Sequence, residues 1–130
     1  MYYVFLVIFG VLGALLRYSI GLMIHTEFPL ATLLINITGC FLLAFLTQFL
    51  NGIPKLSKKM VSAIGTGFVG SFTTFSTFAV ESAELWKVSD YVGAASYILA
   101  SLIGGLIACV FGFQVSEKML AKGKEMNNAD

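Results

Sequence analysis

The sequence predicts an all-α integral membrane protein with four transmembrane helices, the third broken mid-membrane. Three observations carry that expectation. Hydrophobic residues fill 58% of 130 positions and the mean hydropathy is +0.89, above the apolar share of about 45–50% usual for soluble domains. The apolar runs have membrane length, since a helical span takes about 20 residues, and four such runs with their turns use nearly the whole chain as a single domain. Finally, Gly65, Gly67, Gly70 and Ser71 fall at the middle of one run, where they make the weakest helical stretch in the chain.

The elements follow in order. The first run extends from Met1 past Arg17 to Ile24. It lacks a basic leader and a small-residue cleavage site, so it reads as a retained span, helical over about 2–24. The second predicts a helix over about 29–52: Pro29 suits a first turn, and Asn51-Gly52-Ile53-Pro54 stops the helix. The third covers about 59–86, and Ser89-Asp90 opens a fourth over about 91–118. Residues 119–130 form a polar tail, expected to extend that helix and fray. Gly10 with Ala14, and Gly104, Ala108 and Gly112 at four-residue spacing, mark faces where helices pack closely. One bundle this small has little interior, so a transport site predicts a dimer.

Charge narrows the functions. A net charge of +1 leaves no electrostatic footprint for nucleic acid. Cys40 and Cys109 sit in apolar runs without metal or disulfide spacing and read as small buried side chains. No carboxylate pair or Cys/His constellation supports an enzyme, and His25 with Glu27 lacks a third metal ligand. Lys55, Lys58, Lys59, Lys118, Lys122 and Lys124 share the N-terminal side, against Lys87 and the deeper Arg17 on the other; six against two places the N-terminus inside. Glu81 and Glu84 close the third helix beside Trp86 and Lys87; Glu81, one turn beyond Phe78, is read as a helix-end carboxylate, with a place near a pore mouth as the alternative.

The chemistry concentrates after the glycines. A break there frees carbonyls that need a partner, and a bound cation is one. Thr73, Thr74, Ser76 and Thr77 offer uncharged donors that can replace water around a small anion. Phe75 and Phe78 share a helix face and present ring edges of partial positive charge. Asn36 lies deep in the second span, where an unpaired carboxamide costs several kcal/mol, with Thr32 one turn earlier. Tyr97 and Ser101 add a phenol and a hydroxyl one turn apart on the fourth helix.

These residues resemble a known family. Gly13-Ala14 before Arg17-Tyr18, Thr32-Leu33 leading to Asn36 and Gly39, and Gly67 through Phe78 ending in TTFSTF are similar to the Fluc-type fluoride channels, also called CrcB, across all four spans. The resemblance implies a passive fluoride-selective channel exporting fluoride across a cell membrane. It further implies an antiparallel dual-topology dimer with two pores and a structural sodium ion at the interface. By that likeness Asn36, Phe75, Phe78, Ser76, Thr77, Tyr97, Ser101 and Thr32 fall on the fluoride path. Arg17 falls at a vestibule, and the carbonyls of Gly70 and Thr73 fall at the sodium. Two departures stand out: Ser71 replaces a common glycine, and the six-to-two charge bias fits one fixed orientation, as in one subunit of a heterodimer. A small four-helix multidrug exporter is the rival function, but it needs a carboxylate in the first helix, where Arg17 is the only ionisable side chain.

Overall fold

In hydrocarbon each backbone polar group must bond within its own segment, so long apolar runs become helices. In the computed structural model, which describes residues 1–127, these are α1 (Tyr2–Met23), α2 (Leu30–Asn51), a third span at Lys58–Lys87 assembled from pieces, and α6 (Tyr91–Asn127). Among the described residues four helices are long and apolar enough to cross a membrane, which makes this a multi-pass membrane protein.

The third span departs from a plain helix twice. It begins as α3 (Lys58–Ser62), capped by the Ser57 hydroxyl, which accepts the Met60 N–H at 3.2 Å. It then widens into a π-helical stretch, Ala63–Val69, and closes with the short α4 (Gly70–Phe72). Thr73 and Thr74 are extended, and α5 (Phe75–Lys87) resumes the helix. The span is thus broken, but the glycines do not break it. Gly67 stays helical with α1 packed against it, where a Cβ would come within 2.8 Å of the Leu6 carbonyl oxygen, while Gly65 lies beside Leu43 and Thr47 of α2. Tertiary packing here outweighs the weak helix propensity of glycine.

α2 and α6 pair closely. Gly104 lies against Ile37 and Gly112 against the Phe41 backbone, so the predicted small-residue face is a packing face. The Phe41, Phe45 and Phe49 rings stack at 5.9 and 5.4 Å along α2, and Phe111 of α6 lies 5.9 Å from Phe41. The turn before α6 is tight: Ser89 adopts a left-handed φ of 63°, and Asp90 Oδ1 accepts the Gly93 N–H at 2.9 Å. Trp86 meets Tyr91 edge-on at 4.8 Å, as befits an interfacial aromatic belt.

α6 runs past about 118 to Asn127, the tail extending the helix as expected. Glu, Lys, Met, Leu and Ala in that segment are good helix formers, and Leu120 packs on Gly52 at the end of α2. At 1.5 Å per residue α6 is about 55 Å long, well beyond a hydrocarbon core of about 30 Å. Residues 128–130, part of the tail expected to fray, lie outside the described residues.

Candidate functional site

The break is built from two extended residues and one carboxamide. Thr73 has φ −78° and ψ 159°, and Thr74 φ −147° and ψ 118°. A continuous helix would send the Thr74 N–H to the Gly70 carbonyl and the Thr77 N–H to that of Thr73. Here the Thr74 N–H donates to Asn36 Oδ1 at 2.9 Å, and the Thr77 N–H to Thr74 Oγ1 at 3.2 Å. The carbonyls of Gly70 and Thr73 therefore lose their helical donors. These are the two positions singled out for a cation.

Asn36 completes the exchange from the other side, its Nδ2 donating to the Thr74 carbonyl at 2.9 Å. One side chain on α2 thus satisfies both backbone groups of Thr74. Such a buried pair left unmade costs about 1–3 kcal/mol per group. The carboxamide that the sequence placed on an ion path is engaged with backbone, so its first task is to hold the break. Gly39, one turn on, makes room for the Thr73 methyl, which a Cβ at that position would strike. Gly70, Thr73, Thr74, Asn36 and Phe75 all edge a cavity of about 750 Å³, open on one side.

Beyond the break, Thr74 caps α5. Its Oγ1 donates to Thr77 Oγ1 at 2.9 Å and lies 3.3 Å from Ser76 Oγ. Phe75 projects outward, 80% exposed in the single chain. Its ring lies 5.9 Å from Phe78, which lies 5.2 Å from Tyr97. Tyr97 is fully buried. Ser101 Oγ donates to the Tyr97 carbonyl at 2.8 Å, and Thr73 Oγ1 to that of Val69 at 3.0 Å, so both hydroxyls bond back to their own helices.

Glu81 is the residue that sequence reasoning undervalued. It is not a solvated helix-end carboxylate: Tyr97 Oη donates to its Oε2 at 2.7 Å and Thr32 Oγ1 to its Oε1 at 2.9 Å. Three helices are tied at this one side chain. The spacing that left a pore-mouth place open for it is that Glu81 lies one turn beyond Phe78. Glu81 also borders two cavities. One, of about 480 Å³, holds Arg17 with Thr32, Thr74 and Thr77. The other, of about 320 Å³, opens among Thr26, Glu27, Pro29 and Glu84.

Chemically, the site offers hydroxyl donors, aromatic edges, one guanidinium and two freed carbonyls. Among the described residues no group of three His, Cys, Asp or Glu could hold a metal ion. A cation would rest on the carbonyl oxygens of Gly70 and Thr73, hard donors that suit an alkali ion.

Comparison with known proteins adds a family and named relatives. Residues 4–113 match the model described as CrcB-like protein, Camphor Resistance (CrcB). The chain is 46% identical over 125 residues to a Listeria monocytogenes protein named fluoride-specific ion channel FluC 2, covering 95% of this chain and 97% of that one. It is 48% identical over 124 residues to the Listeria innocua protein of the same name, covering 95% and 96%. A Bacillus thuringiensis protein named fluoride-specific ion channel FluC 1 is 48% identical over 124 residues, covering 92% and 90%.

Proposed function

This chain belongs to the CrcB family, and from that premise we propose that it is a passive fluoride-selective channel of the cell membrane that lets fluoride leave the cytoplasm. The observation that carries the reading is the arrangement around the break: uncharged donors and ring edges gathered on three helices, with Asn36 holding the interruption open. The family is one of ion channels and not of enzymes, and the multidrug-exporter reading falls with it.

Fluoride is compact and strongly hydrated, so a path must replace much of its water without trapping it. Arg17, in the cavity with Thr32 and Thr77, raises anion concentration at an entrance. Ser76 and Thr77 supply hydroxyl donors next, and Phe75 and Phe78 supply ring edges as weak donors. Tyr97 and Thr32 donate to Glu81 at rest; an anion reaching them is an acceptor of the same kind and can take up those hydrogens in turn. Ser101 keeps an oxygen beside Tyr97, and Asn36 sets the angle between the helix pieces.

The path is completed by a second chain. The exposed Phe75 ring and the open cavity beside it support a partner on that face. Two copies in opposite orientations would give two paths, and the six-to-two lysine and arginine bias supports an oppositely oriented relative as the alternative partner. A sodium ion at the Gly70 and Thr73 carbonyls would neutralise their partial charge at the interface, in keeping with the helical donors those carbonyls have lost.

The test is fluoride efflux from liposomes reconstituted with this chain alone, read with a fluoride electrode against chloride efflux. Fast fluoride release with little chloride is expected. Silence from folded protein, persisting when an oppositely oriented relative is supplied, would sink the reading.

A further inference from the structure

The ring series does not end at Tyr97. Phe28, in the joint between α1 and α2, meets Tyr97 edge-on, with ring centroids 5.7 Å apart and planes at 83°. Tyr97 is thus in contact with both Phe78 and Phe28, and it has no exposed surface of its own. From this geometry we infer that Phe28 is a positioning residue for the anion path: it fixes the Tyr97 ring and so keeps the phenol on Glu81.

The loop is built to present that ring. Leu30 N–H donates to the Phe28 carbonyl at 2.7 Å, and Pro29 between them has φ −74° and ψ 56°. That is an inverse γ-turn. Thr26 Oγ1 donates to the same carbonyl at 2.6 Å. Two bonds converge on one oxygen, and proline fixes the next φ, so the ring is placed by a locked turn and not by a free loop. Its neighbours Glu27 and Pro29, with Thr26, line the 320 Å³ cavity that reaches Glu81. Phe28 therefore stands where the polar cluster meets the aqueous side.

An isolated phenol can rotate about χ1 and χ2 to other partners. Tyr97 is kept from doing so by edge contact with Phe28, contact with Phe78 and the 2.7 Å bond to Glu81. Removing the Phe28 edge frees the ring on the loop side and lets the hydroxyl leave Glu81. The donor set that an anion meets then loses its fixed spacing.

This inference rests on the channel reading, and the two are tested by different results: wild-type fluoride efflux tests the channel, the contrast at position 28 tests this. Phe28→Leu keeps apolar volume but removes the ring edge; Phe28→Tyr keeps the ring. Each is reconstituted after its assembly is checked by gel filtration, and initial fluoride efflux is measured. Phe28→Leu is expected to slow efflux roughly three- to tenfold, the scale of one edge-to-face aromatic pair, with Phe28→Tyr within about twofold of wild type. In a Tyr97→Phe background, where no phenol remains to place, Phe28→Leu is expected to cost less than about twofold further. Normal efflux from Phe28→Leu, equal loss in Phe28→Tyr, or an undiminished loss in the Tyr97→Phe background would overturn the inference. If Tyr97→Phe alone abolishes efflux, the leucine and tyrosine contrast decides it.

Discussion

The two halves of the third span differ in how far their sequences foretell what their backbones do. Upstream, the stretch Ala63–Val69 contains Gly65 and Gly67 and yet stays helical, widened to a π-turn and pressed against α1. Downstream, Thr73 and Thr74 are unremarkable by composition, and there the helix parts. The difference teaches that a break within a membrane is decided by where the freed backbone groups find partners, and only secondarily by propensity. Thr74 has a partner for both its N–H and its carbonyl in Asn36, whereas Gly67 has α1 packed against it and Gly65 lies beside Leu43 and Thr47 of α2.

Substitutions can break or sharpen that contrast. The largest effect is expected from Asn36→Leu, which strands the Thr74 N–H and carbonyl at about 1–3 kcal/mol each. Fluoride efflux should fall at least about tenfold and the melting temperature in detergent should drop with it. Asn36→Asp keeps the acceptor and loses the donor, so it should fall between leucine and wild type. Phe78→Ile comes next: it removes the ring between Phe75 and Tyr97 and should slow fluoride efflux about tenfold while gel filtration still shows the assembled protein. Flux equal to wild type would remove that ring from the path.

Thr74→Ala is smaller, since it deletes the cap that accepts the Thr77 N–H at a cost of about 1 kcal/mol. Thr74→Ser should recover most of that loss, and a serine variant as unstable as alanine would show that the methyl matters more than the hydroxyl. The smallest effect belongs upstream. A Cβ on Gly65 would sit 3.6 Å from Leu43 Cδ1 and 3.6 Å from Thr47 Cγ2, ordinary contact. Alanine also gains about 1 kcal/mol of helix propensity over glycine, so Gly65→Ala should leave the melting temperature unchanged or slightly raised.

Much of the architecture was legible in the residues. Four spans, their turns at Asn51 to Pro54 and at Ser89-Asp90, and the Gly104 and Gly112 packing face all follow from hydropathy and turn chemistry, which are local. An interruption in the third span was legible for the same reason. Its place near Gly70 to Thr73 came from the family resemblance, and what holds it was not legible, because that depends on Asn36 lying opposite Thr74, 38 residues away. For Glu81 the sequence left a helix end and a pore mouth both open, because its burial depends on Thr32 and Tyr97 from two other helices. The extension of α6 past about 118 was expected, but the contact of Leu120 with Gly52 was hidden because it joins two helices far apart in the chain.

The most direct measurement is fluoride efflux from matched liposomes carrying Asn36→Leu and Gly65→Ala, side by side with wild type. If the Asn36 bonds to Thr74 hold the path open and the glycines only pack, Asn36→Leu loses at least about tenfold and Gly65→Ala stays within about twofold. Preserved efflux in Asn36→Leu with loss in Gly65→Ala would contradict the account, and would move the working break back to the glycines.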